Sequence, residues 1–266
     1  MGTVTHTFDD AVGYEQFMGR WSQPLGQAFL RWLSAPANMH WLDVGCGTGI
    51  FTHVILDTCC PTTVVGVDCA EAQIEHARRS VGGQHIEFRV ADAQLLPFSD
   101  ASFDVVASAL AINFVPDRSR ALAEMRRVAR PGGHVAGCVW DFAAELSPSW
   151  PIRLGMSRIG IDAPPVTGAE DSSLDALISL FRQASFEDVE TTSIEVTASF
   201  ASFDELWRAQ TPGYAPLTKA IAQTTSTARA KLKEAVRAGL PTLADGRIAY
   251  RARANAVRGR APARRR

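Results

Sequence analysis

The sequence predicts an α/β protein: a seven-stranded, mostly parallel sheet with helices on both faces and a helical lid. Three observations predict it. Between Trp41 and Trp140, short apolar runs alternate with segments of helical periodicity, the pattern of a parallel sheet covered on both faces. The first run, Trp41-Leu42-Asp43-Val44, enters a turn with glycine at alternate positions, Gly45, Gly47 and Gly49. The next three runs end at or near Asp68, Asp92 and Asn113, and ligands of open α/β sheets sit outside the carboxyl ends of the strands.

The elements follow in order. A helix runs from Gly49 to about Asp57, and Val64 to Asp68 is the second strand. Residues 71–80 form a helix with acid first and bases last, which suits the helix dipole. Residues 86–90 are the third strand, leading into Ala91-Asp92-Ala93, and 103–110 the fourth. A helix over 119–129 is stopped by Pro131-Gly132-Gly133, and the fifth strand covers 134–139, ending at Trp140-Asp141. Beyond Asp141 the rhythm changes. Residues 142–170 are rich in proline, serine, glycine and alanine and read as a lid segment with a short helix. Residues 174–185 are amphipathic, with Leu174, Leu177, Ile178 and Phe181 at helical spacing, and 186–197 form the sixth strand. A further inserted helix begins at 203–207, a turn follows at 212–216, and one helix spans about 217–238. After the turn at Asp245-Gly246, residues 247–257 alternate as a final strand. The expected organisation is amino-terminal lid helices at 1–36, a binding core at 37–141, the rest of the sheet with inserted lid segments at 142–258, and a basic tail at 259–266.

Composition narrows the class. With 46% hydrophobic and 21% charged residues in 266, the chain reads as an ordinary folded protein. A formal net charge of −1 gives no global attraction to nucleic acid or anionic membrane. No apolar run approaches the roughly 18–20 residues of a spanning helix, and the polar start lacks a signal-peptide core, so a cytoplasmic location is expected. The Arg-rich tail has no aromatic or zinc-ligand companions and reads as a solvated terminus. The five cysteines are odd in number and avoid metal-ligand spacing, and no His-x-x-His or Cys-x-x-Cys pair occurs. They read as small buried thiols, and no metal is expected.

The glycine turn carries most of the chemistry. Glycine lets the backbone turn sharply and approach a ligand closely, and the start of the next helix offers free N–H groups. The nicotinamide fingerprint is G-x-G-x-x-G, whereas Ile50 takes the place of its third glycine. That spacing disfavours a nicotinamide oxidoreductase and points to S-adenosylmethionine (SAM). Asp68 follows Gly49 by about 20 residues, the separation at which nucleotide-binding folds place the acid that accepts ribose hydroxyls.

From about Asp43 to Asp141 the chain resembles the class I SAM-dependent methyltransferases, of the small-molecule kind that includes quinone-biosynthesis enzymes. Besides the glycine turn, Leu95-Leu96-Pro97-Phe98, Asn113-Phe114-Val115-Pro116-Asp117 and the run from Leu122 to Gly133 carry the resemblance. The opening from Tyr14 to Ser22 also resembles the amino-terminal segment of one branch. The resemblance implies a Rossmann-like sheet with an antiparallel last strand, SAM as cofactor and a small-molecule acceptor. It implies that Gly45, Gly47 and Gly49 admit the amino-acid moiety, that Asp68 accepts the ribose hydroxyls, and that Asp92 with Ala93 reads the adenine edge. Asp43, Cys46, Cys69 and Ser108 join this expected cofactor set. Tyr14 and Arg20 are expected to close the pocket, with Arg20 paired to the cofactor carboxylate. Many relatives carry histidines where Asn113 and Phe114 stand, so no role transfers from them.

Methyl transfer is an in-line displacement, and alignment alone is worth about 7–11 kcal/mol. A base matters only for a protonated acceptor. His40, His85 and His134 begin strands, at the edge opposite the ligand crevice, and His53 and His76 lie on helices. The candidates left for proton handling are Tyr14, Asn113, Asp141 and His6. Tyr14, Phe17, Trp21, Trp150, Trp207 and Tyr214 either converge as an apolar cap, favouring a flat or hydrophobic acceptor, or bury the backs of their own helices. Two alternatives stand beside the enzyme: a SAM-binding protein without catalysis or acting as a partner subunit, and an RNA methyltransferase, which only the Arg-rich tail supports.

Overall fold

The computed structural model describes residues 11–211 and 215–263. Among these, seven strands form one sheet: β1 (His40–Val44), β2 (Thr63–Asp68), β3 (Ile86–Val90), β4 (Phe103–Ala109), β5 (Ala129–Trp140), β6 (Glu187–Phe200) and β7 (Ile248–Arg260). Their order is β3-β2-β1-β4-β5-β7-β6. β1 to β5 are parallel, and β7 runs antiparallel between β5 and β6. The chain moves outward from β1 to β3 and then returns to β4 on the other side of β1. The carboxyl ends of β1 and β4 therefore flank a point where the connections diverge, and a crevice opens there.

The helices are α1 (Ala11–Leu33), α2 (Ile50–Cys59), α3 (Glu71–Ser80), α4 (Arg118–Val128), α5 (Trp150–Arg158), α6 (Leu174–Gln183), α7 (Phe203–Gln210), α8 (Pro216–Gln223) and α9 (Ser226–Ala238). Strand alternation divides the core. Trp41, Val105 and Ala107 face a cluster with α1, α5 and α9, while Leu42, Val44 and Val106 face one with α4 and α6. Both faces are dry, which is why β1 and β4 read as nearly unbroken apolar runs.

Several expected boundaries move. The helix expected over 217–238 is two helices, α8 and α9. Thr224-Thr225 interrupts it, because the Thr225 hydroxyl accepts the Ala228 N–H at 3.2 Å and starts α9 afresh. Pro131-Gly132-Gly133 does not precede the fifth strand but lies within it. Between the pairs Phe103–Ala129 and Val105–His134 the register shifts, and Gly132 takes φ 75°, so the glycines form a bulge. The basic tail begins later than expected. Arg258 and Arg260 belong to β7, Ala261 is buried, and Arg258 reaches the Trp32 and Leu33 carbonyls at 2.9 and 3.0 Å. Only Arg264–Arg266 remain of that run, outside the described residues.

The amino-terminal segment is also not simply a lid. Over the described part of 1–36 it is one helix, α1, and Trp21, Leu25, Phe29 and Leu33 are fully buried against the sheet. Such burial contributes about 1.5–3 kcal/mol for each aliphatic or phenyl side chain. The Trp21 ring meets Trp140 edge-on at 6.3 Å and Tyr250 at 4.9 Å, so Trp21 is core. Trp150 donates its indole N–H to the Arg251 carbonyl, and Trp207 stacks on Phe203. Of the six aromatic residues expected as a cap, Tyr14 and Phe17, one helical turn apart at the start of α1, line the crevice. Tyr214 and His6 lie outside the described residues.

Candidate active site

At the carboxyl ends of β1, β2, β3 and β4 lies a cavity of about 370 Å³. Its floor is built from the sheet: Gly45 and Gly47 after β1, Asp68 and Cys69 at the end of β2, Asp92 and Ala93 after β3. Its walls and roof come from outside the sheet pattern. They are the start of α1, the stretch 147–153 that enters α5, the loop 164–167, and the entry to α8 at 215–218.

The three glycines that look alike in sequence do different work. Gly45 has φ 75°, and a Cβ there would stand 2.3 Å from the Ala111 Cβ, so it permits close passage of the β4 loop. Gly47 has φ 53° and only the far end of Gln73 within 4.0 Å; its bare face opens on the cavity. Gly49 caps α2 with φ 86°, and its Cβ position is crowded by Val81, Phe88 and Ala77. Gly49 therefore packs the turn against α3 and β3 and does not line the cavity.

Asp68 holds the turn. Its Oδ2 accepts the Gly47 N–H and its Oδ1 the Ala70 N–H, each at 2.9 Å. Asp92 is more exposed and is fixed by Gln94, whose backbone N–H donates at 2.9 Å and whose amide donates at 3.0 and 3.1 Å. Two carboxylates thus stand side by side at neighbouring strand ends, with the open Gly47 face beside the first.

Other expected site residues lie behind this surface. Asp43 is fully buried under the turn; Oδ2 accepts the Thr52 hydroxyl at 2.6 Å, and Oδ1 has no hydrogen-bond partner among the described residues. Burial, opposed by the Thr52 bond and aided by nearby Asp68, pushes its carboxyl from 3.8 to about 7. A raised carboxyl stabilises the folded state fully below pH 4, and that contribution is lost as pH rises through 7. The wild-type protein should therefore lose on the order of 2 kcal/mol relative to Asp43→Asn between pH 5 and 8. Denaturant melts of both proteins across that range give the measurement, and a gap that does not change with pH would contradict the assignment.

Cys46 is buried beside Ile74 and Phe88, burial raises its thiol well above the usual range, and it fills core space rather than lining the cavity. Ser108 is buried within β4 and likewise does not line it.

Three expected roles need correction. Arg20 is turned away from the cavity: it donates to the Ser199 carbonyl at 2.9 Å, pairs with Glu205 and lies over the Phe200 ring. Its partners lie on β6 and α7, outside the cavity lining. Asp141 is buried and committed to Arg253 at 2.7 Å and to the Ala144 N–H at 3.0 Å, tying the end of β5 to β7. Asn113 is buried and donates to the Thr167 carbonyl at 3.3 Å, which anchors the roof loop. Neither Asp141 nor Asn113 lines the cavity.

Tyr14 does line it. Burial, with a smaller push from Asp68 and Asp43, raises its phenol to about 12 despite the lowering effect of Ser22. The phenol stays protonated at neutral pH and is a donor, not a base. None of the five described histidines lines the cavity. Among the described residues no cluster of three His, Cys, Asp or Glu is placed to hold a metal ion, and no helix is long and apolar enough to cross a membrane.

Sequence reasoning missed the polar part of the roof. Ser147, Ser149 and Arg153 all line the cavity; the lid segment was legible as a unit, but nothing in its composition singles out these three.

Residues 42–137, which contain the glycine turn and both strand-end acids, match the family model described as a methyltransferase domain. Over that stretch the chain is similar to a methyltransferase domain. It is 34% identical over 169 residues to the O-methyltransferase cnsE of Penicillium expansum, a match covering 61% of this chain and 57% of that one. The chain thus spans under three fifths of that curated relative. Among solved structures it is similar to phosphoethanolamine N-methyltransferase 2 of Haemonchus contortus in complex with SAM (TM-score 0.59, 17% identity, 95% of this chain and 56% of that one). It is also similar to the [4+2]-cyclase SpnF (TM-score 0.55, 20% identity, 91% and 82%). These likenesses establish the Rossmann-like fold of the domain.

Proposed function

We propose that the protein is a SAM-dependent methyltransferase acting on a small, largely apolar acceptor, with oxygen as the acceptor atom. One observation carries the reading: Gly47, Asp68 and Asp92 come to one cavity at adjacent strand ends, under a largely apolar roof. The residues fit the cofactor. The bare face of Gly47 leaves room for a ligand, and the two carboxylates are placed to accept hydroxyl and amino donors of a nucleoside. SAM, when bound, supplies a methyl group activated on a sulfonium centre. The chain's own contribution is to hold Asp68 and Asp92 in fixed orientations, exclude water with Phe17, Phe142 and Leu217, and keep the Tyr14 phenol protonated beside the turn. Alignment then supplies most of the rate, at about 7–11 kcal/mol. The oxygen preference rests on the O-methyltransferase relative. The five cysteines are free, which suits a reducing, cytoplasmic setting.

A second reading is a SAM-binding protein that does not transfer methyl groups. The similarity to a [4+2]-cyclase supports it, because this fold hosts more than one chemistry. Calorimetry with SAM and S-adenosylhomocysteine tests the cofactor, and mass spectrometry of phenols and aromatic acids incubated with protein and SAM tests transfer. Binding with a methylated product is the expected result. Binding without product across the panel favours the second reading, and a folded protein that binds neither cofactor form refutes both.

A further inference from the structure

We infer that Arg153, with Ser147 and Ser149, forms an anion-binding subsite in the roof, so that the acceptor is a flat, largely apolar molecule bearing a carboxylate. The inference rests on the cavity being the acceptor site of the proposed methyltransferase. Arg153 is the one cationic side chain lining the cavity among the described residues. It is half-buried, and no carboxylate lies within ion-pair distance of it among those residues; its hydrogen bond goes from Nη1 to the Pro164 carbonyl at 3.0 Å. Burial depresses its pKa, opposed by the charge of Glu145, which is not within ion-pair distance. A guanidinium remains charged all the same.

A half-buried cation without a counter-ion is costly to keep, and its planar fork matches a carboxylate in two parallel hydrogen bonds. The surroundings agree. Ser147 and Ser149 are buried with their hydroxyls 3.0 Å apart. Ser149 stands one helical turn before Arg153, whose backbone N–H bonds the Ser149 carbonyl at 3.1 Å, so both side chains share one face of α5. Neighbouring Phe142, Pro148 and Val166 offer only apolar surface. The acids Asp68 and Asp92 are on the floor, so an anionic group is attracted to the roof and repelled from the floor. The charge layout therefore orients the acceptor as well as selecting it.

The test uses 2-naphthoate and its neutral amide, 2-naphthamide, titrated calorimetrically into the full chain saturated with S-adenosylhomocysteine. Wild type should bind the acid at least tenfold more tightly than the amide. Arg153→Gln should erase that preference while leaving affinity for the amide and for S-adenosylhomocysteine unchanged, and Arg153→Lys should retain part of it. Equal affinity of wild type for acid and amide, including failure to bind either, overturns the inference. So does an undiminished preference in Arg153→Gln. Should that variant not fold, the wild-type pair and Arg153→Lys still decide. Failure of S-adenosylhomocysteine to bind counts instead against the methyltransferase reading, and the acid-versus-amide comparison, repeated on the protein alone, judges Arg153 separately.

Discussion

Asp68→Ala is expected to weaken SAM binding by roughly 10- to 100-fold. A hydrogen bond from a ligand to a charged acceptor is worth about 1.5–3 kcal/mol, and each 1.4 kcal/mol is a factor of ten. The structure adds a second contribution in the same direction. Asp68 already accepts the N–H groups of Gly47 and Ala70, so alanine also releases the turn that presents the bare face of Gly47. Asp68→Asn separates the two effects: it keeps one oxygen acceptor but removes the charge and one accepting position. Calorimetry with S-adenosylhomocysteine, alongside a melting curve to show that each variant is folded, gives the answer. A folded Asp68→Ala protein with wild-type affinity would remove Asp68 from the cofactor site.

Gly45→Ala should cost about 2–5 kcal/mol of stability and disturb cofactor binding with it. Two terms add. A non-glycine residue in the left-handed region costs about 1–2 kcal/mol, and Gly45 has φ 75°. Forcing a methyl group into filled space costs about 1–3 kcal/mol, and here the new Cβ would meet Ala111 Cβ at 2.3 Å. Gly132 is the internal control. It has the same φ of 75° but nothing within 4 Å of its Cβ position, so Gly132→Ala should show the conformational cost alone. Urea denaturation of the two variants measures the difference. Equal losses would mean that the Ala111 loop yields freely and that Gly45 serves conformation only.

Much of this was legible in the residues themselves. α3 and β3 occupy the expected spans, because a helix of one amphipathic period and a five-residue strand are set by local pattern. β7 is antiparallel, as the family resemblance implies. Gly45, Gly47, Asp68, Cys69, Asp92 and Ala93 line one cavity together with Tyr14. Apart from Tyr14 on α1, they end strands or closely follow them, where a parallel sheet opens its crevice.

The misplacements share a cause. Arg20 is expected at the pocket from its place just upstream of the first strand and the family resemblance, and Asp141 from its place at the end of the fifth strand, yet each has its partner far away in sequence, at Glu205 and Arg253. The bulge at Gly132 depends on Ala261, whose carbonyl accepts the Gly132 N–H at 2.8 Å; without that strand beside it, Pro-Gly-Gly reads as a stop. Arg153 carried no local signal at all.

By itself, then, the sequence determined the alternation of strand and helix, the glycine turn and the acids at successive strand ends, since all of these follow from short-range periodicity and backbone conformation. Only the tertiary structure decided which charged groups are spent on each other and which remain facing the cavity. It turned Arg20 and Asp141 into ties between elements, and it left Arg153 in the roof opposite Asp68 and Asp92. The physical reason is that ion pairing and burial depend on separations in space between residues more than 100 positions apart, about which local pattern carries no information.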